Sequence, residues 1–234
     1  MIYSIVVTYN GSRWVDKCFG SLINSCITDH KIIAIDNGST DNTIEIIREK
    51  FPDVEIIENK CNLGFGMANN LGIKKAFEEK ADFVFLLNQD AWVNNNTLCF
   101  LTSIASENKD YGIFSPVHLS NSTNSVDELF LKYILQSDYK ILLNDYFVDN
   151  LKKIYSVNFV NAAAWLIPIS TIDLIGYFDS LFFMYGEDDN YLQRVKFHKL
   201  KIGIIPNTYV VHDRSNLKKR YNSTQILNRK KAVF

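Results

Sequence analysis

Strand-like and helix-like patterns alternate along the first hundred residues of the chain. Short apolar runs rich in β-branched residues predict strands, namely YSIVVTY (3–9), KIIAID (31–36), VEIIEN (54–59) and DFVFLLN (82–88). The segments between them place apolar residues at helical spacing and predict helices, namely SRWVDKCFGSLINSC (12–26), TDNTIEIIREKF (40–51) and GMANNLGIKKAFEEK (66–80). Strands that alternate with helices of this length form βαβ units, so the pattern predicts an α/β fold with a mostly parallel sheet.

The second half of the chain is less regular. Residues 117–157 mix polar turns with short apolar runs and show no clean period, which predicts a variable segment. Ordered patterns return at VNFVNAAAWLIP (157–168), EDDNYLQRVKFHKL (187–200) and KIGIIPNTYVVH (201–212). Because no internal repeat or low-complexity linker interrupts the chain, we predict a single domain over residues 1–212, followed by a basic tail over 213–234.

Composition excludes some classes of function. Of the 234 residues, 47% are hydrophobic and 22% are charged, which is typical of a globular protein with a sizeable core. The formal net charge of −1 argues against a nucleic-acid partner held by bulk electrostatics. The N-terminus lacks a signal-peptide pattern, and no run of apolar residues is long enough to predict a membrane span.

The chain has four cysteines, and no two of them have C-x-x-C spacing. This excludes a common kind of zinc or redox site. We predict that all of them are reduced thiols, most of them in the core, which suggests a cytosolic protein. The residues concerned are Cys18, Cys26, Cys61 and Cys99.

Four polar residues from distant parts of the sequence follow or end predicted strands. They are Asn10, Asp36, Asp90 and His212, and Asp90 closes the stretch FVFLLNQD (83–90). Ligands of open α/β sheets bind in the crevice outside the carboxyl ends of the strands. We therefore expect these side chains to converge on one binding crevice.

Asp36 has two interpretations. Its carboxylate could accept a hydrogen bond from the ring N–H of a uracil or thymine base, with Tyr9 near enough to stack on that base. The stretch DNGSTD (36–41) is also typical of a turn that leads into a helix N-cap, and this alone would explain Thr40 and Asp41.

The glycines of NLGFGMANNLG (62–72) also have two interpretations. The stretch is not a G-x-G-x-x-G dinucleotide motif, because Asn69 stands where the third glycine would be. Gly64 and Gly66 could allow the backbone to approach a ligand closely, and Asn69 could supply an amide. Both glycines could instead serve only the start of a helix.

An acidic cluster, Glu187, Asp188 and Asp189, opens a predicted helix. Acids are favourable at a helix N-terminus, but three exceed what a cap needs. A carboxylate beside apolar surface has a raised pKa and can serve as a general base. His212 could be an ordinary core histidine or a ligand.

Six motifs in order resemble those of glycosyltransferase family 2, most closely its bacterial rhamnosyltransferase-like branch. They are VVTYN, IDNGSTDNT, NLGFGMANNLGI, LLNQDAWV, FVNAAAWLIP and FFMYGEDDNYLQRV. The resemblance covers residues 1 to about 212 except the variable segment near 117–157, which would lie on the acceptor side. It implies a GT-A fold, with helices on both faces of the sheet. It also implies inverting transfer of a sugar from a UDP- or dTDP-sugar to a hydroxyl of a glycan or lipid-linked acceptor in cell-surface polysaccharide synthesis.

The resemblance also implies roles for residues. Asp90 would bind a divalent cation, Mn²⁺ or Mg²⁺, under the diphosphate, with His212 as a second ligand, although Asn88 replaces the first acid of the family's D-x-D motif. Asp188 would be the base that deprotonates the acceptor. The positions that would contact the donor are Thr8, Tyr9, Asn10, Asp36, Asn37, Gly64, Gly66, Asn69, Asn88 and Gln89.

Two other functions are open at this stage. A sugar-1-phosphate nucleotidyltransferase would need a glycine-rich basic loop after the first strand, where TYNGSRW offers one glycine and one arginine. A non-catalytic sugar-nucleotide-binding module is the second alternative. The basic tail could also hold the protein on an anionic membrane, on the cytoplasmic face of the inner membrane.

Overall fold

The computed structural model describes residues 1–137 and 139–214. Its strands are β1 (Ile2–Thr8), β2 (His30–Asp36), β3 (Glu55–Glu58), β4 (Phe83–Asn88), β5 (Ala91–Val93), β6 (Tyr111–Ser120), β7 (Tyr155–Val157), β8 (Ala164–Pro168) and β9 (Lys201–His212). Its α-helices are α1 (Val15–Ile23), α2 (Thr43–Lys50), α3 (Phe65–Glu78), α4 (Thr97–Glu107), α5 (Glu128–Leu135), α6 (Tyr139–Phe147), α7 (Ile169–Ile175) and α8 (Glu187–Phe197). A 3₁₀ turn, Ser12–Trp14, precedes α1.

These strands form one sheet in the order β3-β2-β1-β4-β8-β6-β9-β5, with β7 paired to β9. Strands β1 to β4, β6 and β9 run in one direction, and β5, β7 and β8 run in the other. The predicted α/β fold with a mostly parallel sheet is confirmed. Because Thr8 pairs with Asp36 and Val7 with Asn88, the ends of three parallel strands lie at one edge.

The core lies on both faces of the sheet in two clusters. Side chains of β1 alternate between them, since successive residues of a strand point to opposite faces: Ile2 and Val6 join the first cluster, and Tyr3 and Ile5 join the second. Helices α1, α2 and α4 cover the first cluster, and α3, α5, α7 and α8 cover the second. The expected helices on both faces are therefore present.

The segment 117–157 is more regular than the sequence predicted. It contains the end of β6, then α5 and α6, then β7. The strand escaped the pattern because Pro116 lies inside it and cannot donate a ladder hydrogen bond, and the register with β9 shifts at that residue. Helix α5 begins at a conventional cap, in which Asp127 accepts from the backbone N–H of Phe130 at 2.9 Å.

The prediction of four reduced thiols is wrong. Cys26 and Cys99 form a disulfide, although 73 residues separate them in sequence. The loop after α1 lies beside the loop before α4, where Cys26 N–H donates to the carbonyl of Asn95 at 3.0 Å, and this contact brings the two cysteines together. Cys18 is a buried free thiol, whereas Cys61 is exposed rather than in the core. The cysteines therefore no longer support a cytosolic location.

Within the described residues, no helix is both long enough and apolar enough to cross a membrane. Most of the predicted basic tail, residues 215–234, lies outside those residues. Arg214 belongs to the described part and is not a freely solvated tail residue, since its Nε donates to Asp127 at 2.8 Å.

Candidate functional site

Three of the predicted residues meet where β4, β5 and β9 come together. His212 Nε2 lies 3.3 Å from Asp90 Oδ1 and 3.4 Å from Asn88 Nδ2. The His212 side chain is 4% exposed and that of Asp90 is 25% exposed. The Asp213 N–H also donates to the Asp90 carbonyl at 2.7 Å, which fixes the backbone at this point.

The surroundings of His212 bear on whether it is an ordinary core histidine. Its Nδ1 is buried and has no hydrogen-bond partner among the described residues, and its Nε2 faces a carboxylate. Buried polar groups usually have partners, but the buried Nδ1 of His118 also lacks one in the described part of the chain, so the feature that favours a ligand role for His212 is the carboxylate that its Nε2 faces. Behind it lies His118, with ring centroids 6.2 Å apart, whose pKa is lowered well below 6.5 by burial and by the nearby His212 and Arg214.

Asp90 and His212 can act as a pair of metal ligands. Their 3.3 Å separation is close to the roughly 3 Å between adjacent ligands of an octahedral ion bound at about 2.1 Å. Among the described residues, no group of three or more histidine, cysteine or carboxylate side chains could hold a metal. A cation here would therefore take its remaining ligands from phosphate and water, as Mg²⁺ commonly does.

A cavity of about 440 Å³ opens beside this pair, and we call it the strand-end cavity. Predicted site residues that line it are Tyr9, Asn10, Asn37, Asn88, Gln89 and Asp90. Its other lining residues are Val7, Arg13, Trp14, Asn62, Phe65 and Met184. None of this second group was among the predicted site residues. The placement of Arg13 and Trp14 directly after the first strand was the signal that could have found them.

Asp36 does not line the cavity, and its carboxylate is already satisfied. Oδ1 accepts from Thr8 Oγ1 at 3.0 Å and from Ser39 Oγ at 2.5 Å. Oδ2 accepts from the backbone N–H groups of Gly38 at 3.1 Å and Ser39 at 2.9 Å. A carboxylate offers about four acceptor positions, so these donors leave none for a base. These hydrogen bonds give Asp36 a structural role in the turn, and Thr8 shares that role. The contact of Asp36 with a base stays a prediction.

Asn37 lines the cavity, but its amide also holds neighbouring loops together. Its Nδ2 donates to the Gly64 carbonyl at 3.2 Å, and its Oδ1 accepts from Asn59 at 3.2 Å and from the Leu63 N–H at 3.3 Å. It is 3% exposed. Any contact with a ligand would use only this small exposed part.

Gly64 and Gly66 lie in close contact with other parts of the protein, and their predicted contact with a donor stays a prediction. A Cβ on Gly64 would lie 1.9 Å from the Phe183 carbonyl oxygen, and its φ of 80° also favours glycine. A Cβ on Gly66 would lie 3.0 Å from Phe178 Cβ. Asn69 is likewise occupied inside α3, where its Nδ2 donates to the Phe65 carbonyl at 3.0 Å.

The loop after β1 presents Tyr9 to the cavity. Gln89 clamps the Tyr9 backbone: its Oε1 accepts from the Tyr9 N–H at 2.9 Å, and its Nε2 donates to the Tyr9 carbonyl at 3.1 Å. Asn10 has a φ of 48°, and its Oδ1 accepts from the Thr40 N–H at 2.8 Å. Tyr9 stays 46% exposed, so its ring is free to stack on a planar group.

The acids at the start of α8 have raised pKa values. Burial, together with repulsion from neighbouring acids, raises the pKa of Glu187 to about 7 and that of Asp188 to about 6. The backbone N–H of Ala162 acts against this shift at Asp188. The next residue, Ala163, accepts a hydrogen bond from the Asn88 N–H at 2.9 Å. Asp188 is thus linked through two adjacent residues to the end of β4.

Three curated relatives share parts of the sequence. The chain is 36% identical over 72 residues to chondroitin synthase of Escherichia coli, a match that covers 30% of this chain and 10% of the relative. It is 29% identical over 116 residues to poly(ribitol-phosphate) beta-glucosyltransferase of Bacillus spizizenii, a match that covers 47% of this chain and 18% of that relative. It is 21% identical over 251 aligned positions to N-acetylglucosaminyl-diphospho-decaprenol L-rhamnosyltransferase of Mycobacterium tuberculosis. This match covers 98% of this chain and 81% of that relative. The chain thus spans less than a fifth of the length of the first two.

Solved structures share the fold. S. aureus TarS 1–349 in complex with UDP-GlcNAc has a TM-score of 0.70 at 16% identity, covering 99% of this chain and 64% of that one. GalNAc-T7 with UDP, GalNAc and Mn²⁺ has a TM-score of 0.69 at 15% identity, and the match covers 91% of this chain and 44% of that one. The predicted GT-A fold is therefore confirmed.

The family match rests on the sequence itself. The family described as glycosyl transferase family 2 matches residues 4–165, which is most of the chain. That range includes the turn after β2, the residues that line the strand-end cavity except Met184, and the segment through Ala162. It agrees with the resemblance carried by the six motifs. The chain belongs to glycosyltransferase family 2.

Proposed function

We propose that this protein transfers a sugar, with inversion, from a UDP- or dTDP-sugar to a hydroxyl of a glycan or lipid-linked acceptor in cell-surface polysaccharide synthesis. The observation that carries the proposal is the meeting of Asn88, Asp90 and His212 beside the strand-end cavity, with Asp188 linked to the same strand end. A donor and a base on opposite sides of one carbon are what a single inverting displacement requires.

Asp90 and His212 are the residues that would hold Mn²⁺ or Mg²⁺. When bound, such a cation neutralises the negative charge that develops on the leaving diphosphate. Two oxygen- or nitrogen-donating side chains suit either ion, and imidazole is better tolerated by Mn²⁺. Tyr9, exposed at the cavity, is the ring on which the donor base would stack.

Asp188 is the proposed general base. With a pKa of about 6, its carboxylate is mostly ionised at pH 7 and yet takes up a proton more readily than an ordinary aspartate. It would accept the proton of the acceptor hydroxyl as that oxygen attacks the sugar. The Ala162 N–H would hold the carboxylate in place during this step.

The related proteins support the choice of substrates. TarS is described with UDP and with UDP-GlcNAc, and GalNAc-T7 with UDP and Mn²⁺. Two relatives are named for a poly(ribitol-phosphate) and for a diphospho-decaprenol acceptor, which favours polymeric or lipid-linked acceptors. We also propose a location on the cytoplasmic face of the inner membrane, where basic residues of 213–234 would contact anionic lipids.

The test is Mn²⁺-dependent binding of UDP and dTDP, measured by calorimetry. Asp90→Ala should lose the increase in affinity that Mn²⁺ gives to the wild type, while its thermal stability stays unchanged because the side chain is partly exposed and packs little. Asp53→Ala, which removes an exposed carboxylate elsewhere, is the matched control. Asp90→Ala protein that keeps the full effect of Mn²⁺ would refute the metal assignment.

His212→Ala should weaken Mn²⁺ binding less than Asp90→Ala, because a neutral ligand contributes less charge. Unchanged Mn²⁺ affinity with lower thermal stability would return His212 to the role of a core histidine. Wild-type protein that binds sugar nucleotides but transfers no sugar to any acceptor would favour the non-catalytic module.

A further inference from the structure

A cationic side chain, that of Arg13, lines the strand-end cavity, and the proposed function gives it no role. Among the described residues that line it, Arg13 carries the positive charge and Asp90 the negative one. Arg13 is exposed, and within the described part of the chain its guanidinium forms no ion pair. Its charge is therefore available to an anion in the cavity.

A series of contacts connects Arg13 to Asp90, the proposed metal ligand. Its guanidinium carbon lies 3.8 Å from the centroid of the Trp14 ring, a cation–π contact. The Trp14 Nε1–H donates to Asp213 Oδ2 at 3.0 Å, and the Asp213 N–H donates to the Asp90 carbonyl at 2.7 Å. The residue that presents the cation and the residue proposed to bind the metal are thus connected through Trp14 and Asp213.

The charge balance of the proposed donor site explains why an arginine is useful beside Asp90. A D-x-D motif would supply two negative charges, but Asn88-Gln89-Asp90 supplies one. A divalent cation bound at Asp90 would leave one net positive charge, and the two phosphates of a sugar nucleotide carry one negative charge each. Arg13 adds the second positive charge. Arginine also suits this task, because its planar guanidinium can donate two parallel hydrogen bonds to a phosphate.

We propose that Arg13 binds the diphosphate of the nucleotide-sugar donor, and that Trp14 and Asp213 hold its guanidinium beside Asp90. The inference rests on the proposed function and deepens it. It assigns the positive charge that faces the leaving group to a residue of the loop after β1. It also predicts that part of the affinity for the diphosphate does not require a metal.

The test compares nucleotides that differ in their phosphates. Affinities of wild type and Arg13→Gln are measured by calorimetry for uridine, UMP and UDP (or the thymidine series, if wild type prefers it), each with Mn²⁺ and with EDTA. Arg13→Gln should weaken UDP binding roughly 10- to 100-fold, the value of a charge-assisted hydrogen bond, and leave uridine binding unchanged. The loss should persist in EDTA. Arg13→Lys should recover part of it.

Lys17→Gln is the matched control. Lys17 lies one turn further along, in α1, is exposed, and is placed 4.5 Å over the Trp92 ring, but it does not line the cavity. The two variants thus remove the same charge and the same kind of contact. Lys17→Gln should bind UDP like wild type.

The other outcomes are distinguishable. Equal weakening of uridine and UDP would mean that Arg13 contacts the base or ribose, and unchanged UDP affinity would mean that it faces only solvent; either result overturns the inference. Wild-type protein that binds neither UDP nor dTDP, with or without Mn²⁺, would instead overturn the proposed function itself.

Discussion

Two sets of acids in this molecule have opposite surroundings. Asp36 and Asp41 lie in the turn between β2 and α2, and Glu187 and Asp188 open α8. Asp36 accepts hydrogen bonds from two hydroxyls and two backbone N–H groups. Glu187, by contrast, is 7% exposed, and its Oε2 is buried without a hydrogen-bond partner in the described part of the chain.

The pKa values of Asp41, Glu187 and Asp188 follow this difference. Burial alone would raise the pKa of Asp41, but hydrogen bonds from Thr43 and Ser12 outweigh it, and the pKa is lowered. At Glu187 and Asp188 burial dominates, and the pKa values rise to about 7 and about 6. A carboxylate surrounded by donors holds backbone in place and stays ionised. One with few donors can exchange a proton near neutral pH, so catalysis is expected at α8 and not at the turn.

The sharpest way to break this comparison is Asp188→Asn. The asparagine keeps the size of the side chain and can still accept from the Ala162 N–H, but it cannot take a proton. We expect kcat to fall about 10²- to 10⁴-fold while UDP affinity stays near normal. In wild type, kcat should fall as the pH drops through about 6, because the base must be ionised.

Asp189→Asn is the control, since Asp189 is an exposed neighbour whose charge raises the pKa of Asp188. It should keep activity at neutral pH and shift the acid limb of the pH profile to lower pH. If Asp188→Asn retained most of the transfer activity, the base would have to be Glu187 or another group.

The residues at the strand ends could be predicted from the sequence, but their partners could not. Parallel strands bring their carboxyl ends to one edge, which is why Asn10, Asp36, Asp90 and His212 were expected near one another. Which carboxylate is already satisfied depends on donors such as Thr8 and the Ser39 backbone, which the apolar pattern does not reveal. For this reason the sequence grouped Asp36 with ligand-binding residues.

The tertiary contacts between distant segments were also beyond the pattern. Asn70 exchanges two hydrogen bonds with the Phe178 backbone, both at 2.9 Å, although 108 residues separate them. The approach of Phe183 to Gly64 and the Cys26–Cys99 disulfide are further examples. Such contacts follow from how helices and loops dock on the sheet, and periodicity records only which face of an element is apolar.

Asp36→Ala tests the structural side of the comparison. It removes the acceptor for several buried donors, so the free energy of unfolding should fall by about 2–4 kcal/mol, measured by urea denaturation. Asp36→Asn retains one acceptor oxygen and should lose less. An Asp36→Ala protein with unchanged stability but a selective loss of uridine binding would restore the base contact that the hydrogen bonds argue against.

The smallest effect is expected from Glu187→Gln, and it appears only as a dependence on pH. The folded-state pKa of about 7 lies above the ordinary glutamate pKa of 4.5, so the stability that protonated Glu187 contributes is complete below about pH 4.5 and is lost as the pH rises through 7. The variant cannot ionise, so its free energy of unfolding relative to wild type should rise over this range by on the order of 1–3 kcal/mol. Urea denaturation at pH 4.5, 6 and 8 measures this difference, with Glu45→Gln, an exposed carboxylate on α2, as the control. A difference that stayed constant with pH would show that Glu187 is no more costly to ionise than an acid in water, and the contrast between α8 and the turn would then rest on Asp188 alone.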